Sequence, residues 1–272
     1  MSTFTDLFPV SKPVIGMIHV HALPGTPGYA GDLNAIMDAA LKDAATYQEA
    51  GIDGLMLENM HDIPYLKGEV GHEVSTTMAV VSYMIKKAFG MPCGIQILAG
   101  ANEAAVAAAQ AAGLDFVRAE GYVFGHVADE GWMDASAGPL LRYRRKIGAD
   151  EVLVLTDIKK KHSAHALTAD VDILETAKAA EFFASDGLIV TGTATGATAD
   201  ISELGRLKGA TRLPVIVGSG VTATNLDQYF PLCDAFIVGS HFKVDGDWRK
   251  SVDYGRVKAF MDKARQLRRV LG

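Results

Sequence analysis

Short runs of aliphatic and β-branched residues recur along the chain. Each is followed by a polar or glycine-containing loop and then by an alanine-rich stretch with helical spacing. The apolar runs predict strands at Val14–Val20, Gly54–Glu58, Gly94–Leu98, Phe116–Glu120, Val152–Ile158, Gly187–Thr191, Val215–Gly218 and Ala235–Val238. The spacing between them predicts helices near Leu33–Ala50, Glu73–Phe89, Glu103–Ala112, Ala137–Ile147, Val171–Phe183, Ile201–Lys208, Asn225–Tyr229 and Val252–Leu267. Strongly apolar strands alternating with helices imply a parallel sheet covered on both faces. Eight strand-then-helix units predict an α/β fold, a closed (β/α)8 TIM barrel forming one domain over residues 1–272. An open doubly wound sheet is the competing arrangement. The junctions Ala50-Gly51-Ile52-Asp53-Gly54, Ala112-Gly113-Leu114-Asp115 and Ser185-Asp186-Gly187 repeat one small-residue punctuation, a helix cap followed by a short turn into the next strand.

Composition narrows the class without naming a function. With 49% hydrophobic and 21% charged residues the chain reads as a soluble globular protein, and a net charge of −6 gives no general support for a nucleic-acid polymer as partner. Cys93 and Cys233 sit in or beside apolar runs and are expected to be reduced packing residues of a cytoplasmic protein. The polar start Met1 to Lys12 lacks the apolar stretch of a signal peptide, and no window approaches the roughly 20 apolar residues that span a bilayer.

In a barrel the side chains at the strand C-termini converge over the mouth, where chemistry is done. Here the seventh strand runs into Gly218-Ser219-Gly220-Val221-Thr222, and the eighth ends in Val238-Gly239-Ser240, followed by His241, Phe242 and Lys243. Glycines let backbone N–H groups approach an anion, so these two turns are expected to hold a phosphate, with Ser219, Ser240 and Lys243 as side-chain contributors. The alternative is that the glycines only make tight turns. The other strand ends carry His19, Glu58, Arg118 with Glu120, Asp157 with Lys159, and Thr191-Gly192-Thr193. Residues two apart share a direction, so Arg118 goes with Glu120 and Asp157 with Lys159. Arg118, Thr191 and Gly192 are expected to bind substrate, whereas His19, Glu58, Glu120, Asp157 and Lys159 are the candidate acids, bases and charge stabilisers.

The carboxylates and His19 would also suit a divalent metal such as magnesium or manganese. Yet the chain has neither His-Glu-x-x-His nor Cys-x-x-Cys, and no cofactor is implied outright. Lys159 is further open to Schiff-base chemistry, and the tract Lys159-Lys160-Lys161-His162 to a plain basic loop. Two long loops frame the mouth. Pro24–Asp32 is rich in glycine and proline. Gly121–Ser136 carries Tyr122, Phe124, His126 and Trp132, and reads as a lid or a subunit contact, which leaves a homo-oligomer open.

Lys12-Pro13-Val14-Ile15-Gly16-Met17-Ile18-His19 with Leu23-Pro24-Gly25-Thr26-Pro27 resembles the start of the BtpA/SgcQ family. Glu58-Asn59-Met60-His61-Asp62-Ile63-Pro64, Asp157-Ile158-Lys159-Lys160-Lys161-His162 and the two glycine turns extend that resemblance over nearly the whole chain. The resemblance implies a barrel of the ribulose-phosphate-binding kind. One branch of the family is a thylakoid-associated factor required for photosystem I accumulation, and another sits among sugar-transport and sugar-metabolism genes. It brings no assigned catalytic residues. Taken with the strand ends, it favours an enzyme acting on a phosphorylated sugar, sugar acid or ribosyl compound as an isomerase, epimerase or lyase. N-glycosidic bond cleavage, as in a nucleosidase, is one alternative, and a non-enzymatic photosystem I assembly factor is another.

Overall fold

The computed structural model describes residues 3–192 and 196–271, so that Thr193, at the expected end of the sixth strand, lies outside the described residues. Eight parallel strands close into a barrel: β1 (Val14–His19), β2 (Gly54–Glu58), β3 (Cys93–Gln96), β4 (Phe116–Ala119), β5 (Leu153–Ile158), β6 (Gly187–Val190), β7 (Val215–Val217) and β8 (Ala235–Val238). Each strand lies beside its neighbours in sequence, and β8 closes on β1 with Val14 opposite Phe236. Closure removes the open-sheet alternative. The outer layer comprises α2 (Leu33–Ala50), α3 (His72–Phe89), α4 (Asn102–Ala112), α5 (Ala137–Lys146), α6 (Ile173–Phe182), α7 (Ile201–Leu207), α8 (Leu226–Tyr229) and α9 (Tyr254–Leu271). A further short helix, α1 (Phe4–Leu7), precedes β1.

Strand alternation divides the core in two. One set of side chains packs between barrel and helices. The other fills the barrel interior with Ile15, Met17, Met56, Phe116, Leu155, Ile189, Ile216 and Ile237. The interior is made by pairing large with absent side chains: a Cβ on Gly94 would lie 2.1 Å from the Phe116 ring. From below, Phe4 and Phe8 close the base, with ring centroids 4.9 Å apart, and Phe8 sits 6.3 Å from Phe116.

The helix-to-strand junctions hold more than caps. Asp53, Asp115, Asp186 and Asp234 stand just before β2, β4, β6 and β8. Each carboxylate accepts the N–H of the residue opening or near the start of the preceding strand: Val14, Cys93, Val154 and Val215 respectively, all at 2.8 Å. The backbone N–H of each aspartate donates back to the carbonyl of the same residue. Three of these carboxylates also meet a base, namely Arg268, Lys86 and Arg144.

Above the barrel the loop expected to be a lid or a subunit contact is partly regular. Gly131–Met133 pairs antiparallel with His126–Ala128, which pairs in turn with Ser163–Ala164 in the loop after β5. Phe124, Val127 and Trp132 are exposed there. Both cysteines are buried free thiols, pushed up to about 12 by burial. Among the described residues no helix is long and apolar enough to cross a membrane.

Candidate active site at the barrel mouth

The inward series that is apolar low in the barrel becomes polar, and mostly ionisable, at its top. His19, Glu58, Gln96, Arg118, Glu120 and Asp157 are all buried there. A cavity of about 240 Å³ opens over them, lined on one side by Met17, His19, Glu58, Met60, Arg118 and Lys161. Its other side is formed by Gly218–Thr222, Val238–His241 and Arg256.

At the glycine side, Gly218 spends its N–H on the Val190 carbonyl, continuing the barrel ladder. The next amides do otherwise: Ser219, Gly220, Gly239 and Ser240 donate to no acceptor among the described residues. Gly220 has φ +69°, and a Cβ there would lie 2.3 Å from the Ala197 carbonyl oxygen, so the turn needs glycine for both its shape and its packing. A Cβ on Gly239 would lie 3.1 Å from His19 Nε2 and fill the space between the two halves of the cavity. The Arg256 guanidinium reaches this wall from α9, donating through Nε to the His241 carbonyl at 2.6 Å.

At the ionisable side, the His19 Nδ1 lies 2.8 Å from the Trp248 carbonyl. A carbonyl only accepts, so Nδ1 carries the proton and the neutral ring turns a lone pair at Nε2 to the cavity. Burial, then the Lys243 charge, hold the imidazole pKa well below its usual value, so it stays neutral. Its Nε2 stands 3.9 Å from Glu58 Oε2. Burial raises the Glu58 pKa, opposed by Arg118 and Lys161. A carboxyl biased toward its protonated form beside an unprotonated imidazole is a workable acid and base pair.

Behind this front the charges are already paired. Arg118 grips Asp157 through two hydrogen bonds, Nε to Oδ2 at 2.9 Å and Nη2 to Oδ1 at 2.8 Å. Lys160 lies 3.0 Å from Glu120, which also accepts from Gln96 Nε2 at 2.9 Å. Pairing across neighbouring strands thus replaces the expected companionship along one strand. Because cationic partners hold both carboxylates, Asp157 and Glu120 are poor metal ligands. Among the described residues no three His, Cys, Asp or Glu side chains converge to hold a metal ion.

The expected residues therefore divide. His19, Glu58, Arg118, Gly218, Ser219, Gly220, Gly239 and Ser240 line the one cavity. Asp157 and Glu120 stand behind it. The Thr191 hydroxyl accepts the Lys161 N–H at 3.2 Å, and the Gly192 N–H donates to Ser219 Oγ at 2.7 Å, so both brace the walls instead of lining them. That hydroxyl also donates to the Ala197 carbonyl, leaving Ser219 to act through its backbone.

Two lysines are corrected. Lys243 is fully buried and donates to Asp43 on α2 at 2.9 Å, because the turn Ser240–Phe242 rotates it into the helix layer. Lys159 takes φ +50°, which breaks the strand alternation and sends its side chain to a separate small cavity beside His126. Lys161 enters the main cavity in its place. Among the described residues no carboxylate lies within 4.0 Å of its ammonium group. Burial, then Arg118, lower its pKa. The Pro24–Asp32 loop is tied down by Asp62, which accepts the Leu23 N–H and the Thr26 hydroxyl. Its first residues border another cavity, of about 180 Å³.

A sequence model of the BtpA family matches residues 10–266. The chain belongs to the BtpA family. Within the family's reach, an uncharacterized mitochondrial protein of Caenorhabditis elegans is 46% identical over 95% of each chain. The photosystem I biogenesis protein BtpA of Synechocystis is 31% identical over 94% of this chain and 88% of that one. Among solved structures, the orotidine 5'-monophosphate decarboxylase of Methanocaldococcus jannaschii superposes with a TM-score of 0.60 at 14% identity, covering 93% of this chain and 98% of that one. A monomer generated from the dimeric phosphoribosylanthranilate isomerase of Thermotoga maritima gives 0.57 at 14% identity, over 94% and 100%. At such identities these likenesses establish that this chain shares their barrel fold.

Proposed function

We propose that this protein is an enzyme that anchors a phosphorylated sugar, sugar acid or ribosyl compound and moves protons along its carbon chain, in the manner of an isomerase, epimerase or lyase. One observation carries the reading. A single cavity sets four backbone N–H groups that donate to no acceptor among the described residues, with the Arg256 guanidinium, at one end, and the His19 Nε2 lone pair with Glu58 at the other. Such amides at the lips of one cavity suit a phosphate, and the positive charge of Arg256 adds to them. Anchoring there would present the substrate's carbon atoms to His19 and Glu58 with little positional freedom left to lose. Two solved barrels with this fold are named for phosphate-bearing substrates, which supports the reading by analogy.

Thermal melting against a panel of sugar phosphates, nucleoside monophosphates and inorganic phosphate tests it. A ligand at about 100 times its dissociation constant adds about 2.7 kcal/mol of stability. Arg256→Gln should weaken inorganic phosphate tenfold or more while leaving the ligand-free melting temperature nearly unchanged. Flat melting curves across the panel would remove the reading and favour a non-enzymatic role, such as the photosystem I biogenesis for which the Synechocystis relative is named.

A further inference from the structure

We propose that the Lys161 amine forms an imine with the carbonyl carbon of a phosphorylated aldehyde or ketone held at the two glycine turns. The inference rests on the anchored-phosphate reading above and adds a covalent step and a substrate class to it.

Three features of placement carry it. Lys161 is the one lysine lining the main cavity among the described residues, and it shares that cavity with Glu58 and His19. Its neighbours in the basic tract are committed elsewhere: Lys160 to Glu120, and Lys159 to the small cavity beside His126. Its backbone is pinned by Thr191, and the Arg118 that crowds it is already engaged by Asp157. A cation brought into a half-buried cavity beside a guanidinium, with no carboxylate in ion-pair reach among the described residues, gains little from keeping its charge. The direction of its pKa agrees, since burial and then Arg118 favour the neutral amine that a nucleophile requires.

The step balances without any further reagent. The Lys161 nitrogen lone pair attacks the carbonyl carbon, a C–N bond forms, and the C=O π pair goes to oxygen. Glu58, whose carboxyl is biased toward the protonated form, gives that oxygen a proton. The hydroxyl then leaves as water, carrying the Glu58 proton and one hydrogen of the amine, while the other hydrogen stays on nitrogen, so that a protonated iminium stands beside the Glu58 carboxylate. The resulting iminium draws electrons from the adjacent carbon, and the His19 Nε2 lone pair is then placed to take a proton from that carbon.

The test is reductive trapping of the full-length protein with sodium borohydride and dihydroxyacetone phosphate, and in parallel with glyceraldehyde 3-phosphate. Intact mass and peptide mapping should show one reduced adduct, on Lys161. Excess inorganic phosphate should suppress it at least tenfold, Lys161→Arg should abolish it at an unchanged melting temperature, and Lys159→Arg should leave it as in the native chain. If neither probe labels Lys161, or if phosphate does not suppress the labelling, the proposal is overturned. The two readings separate cleanly. Stabilisation by inorganic phosphate without an adduct rejects the imine and spares the anchor, whereas absence of that stabilisation rejects the anchor itself.

Discussion

Arg118 and Asp157 illustrate how single residues were readable from sequence, and where reading stopped. Both were expected at the mouth because each stands at a strand end, and both are there, buried and joined by two hydrogen bonds. Removing either partner strands an unpaired charge, so Arg118→Met or Asp157→Asn alone should cost about 3–5 kcal/mol in urea unfolding. The double replacement Arg118→Met with Asp157→Leu should regain most of that loss. The lysines were less readable, for a local reason. Alternation by two assigns Lys159 to the interior only while the backbone stays extended. A left-handed residue at 159 ends that rule, and no feature of Lys-Lys-Lys marks which of the three takes that conformation. Arg256 was invisible for a different reason. It lies on α9, 15 residues beyond the His241 carbonyl it bonds, and the irregular turns between β8 and α9 leave no periodic pattern to show which side chain of that helix faces the mouth.

At the scale of elements, the eight strands and their helices followed from apolar runs and helical spacing, because strands buried on both faces leave a strong signature. The expected ends overshot by a residue or two at several strands, where the chain had already turned into the mouth loops. The aspartates before alternate strands carried a meaning that the small-residue punctuation hid. In each, carboxylate and backbone together close a reciprocal pair on the preceding strand. Asp234 is the simplest to probe, since among the described residues it shares its carboxylate with no basic side chain. Asp234→Ala leaves the Val215 N–H without its acceptor and should cost about 1–2 kcal/mol, whereas Asp234→Asn, which keeps an oxygen there, should cost well under half as much. Denaturant midpoints of the two variants at constant slope give the comparison.

Across the whole molecule, the base of the barrel is closed by aromatic rings and the rim carries the ionisable groups. Phe8 is 3% exposed and seals the lower end against Phe116. Phe8→Ala should lose about 3–5 kcal/mol of unfolding free energy yet shift the melting temperature with inorganic phosphate by as much as the native chain does. A loss of ligand response in that variant would show that the two ends are not independent. The rim has a different kind of unity. The short sheet above it stitches the loop after β4 to the loop after β5, with Val127 opposite Ala164 and Ala128 opposite Ser163. The basic tract hangs from that seam. An insertion or a shifted register in either loop would therefore disturb the other, so the two loops are expected to vary together from one relative to the next.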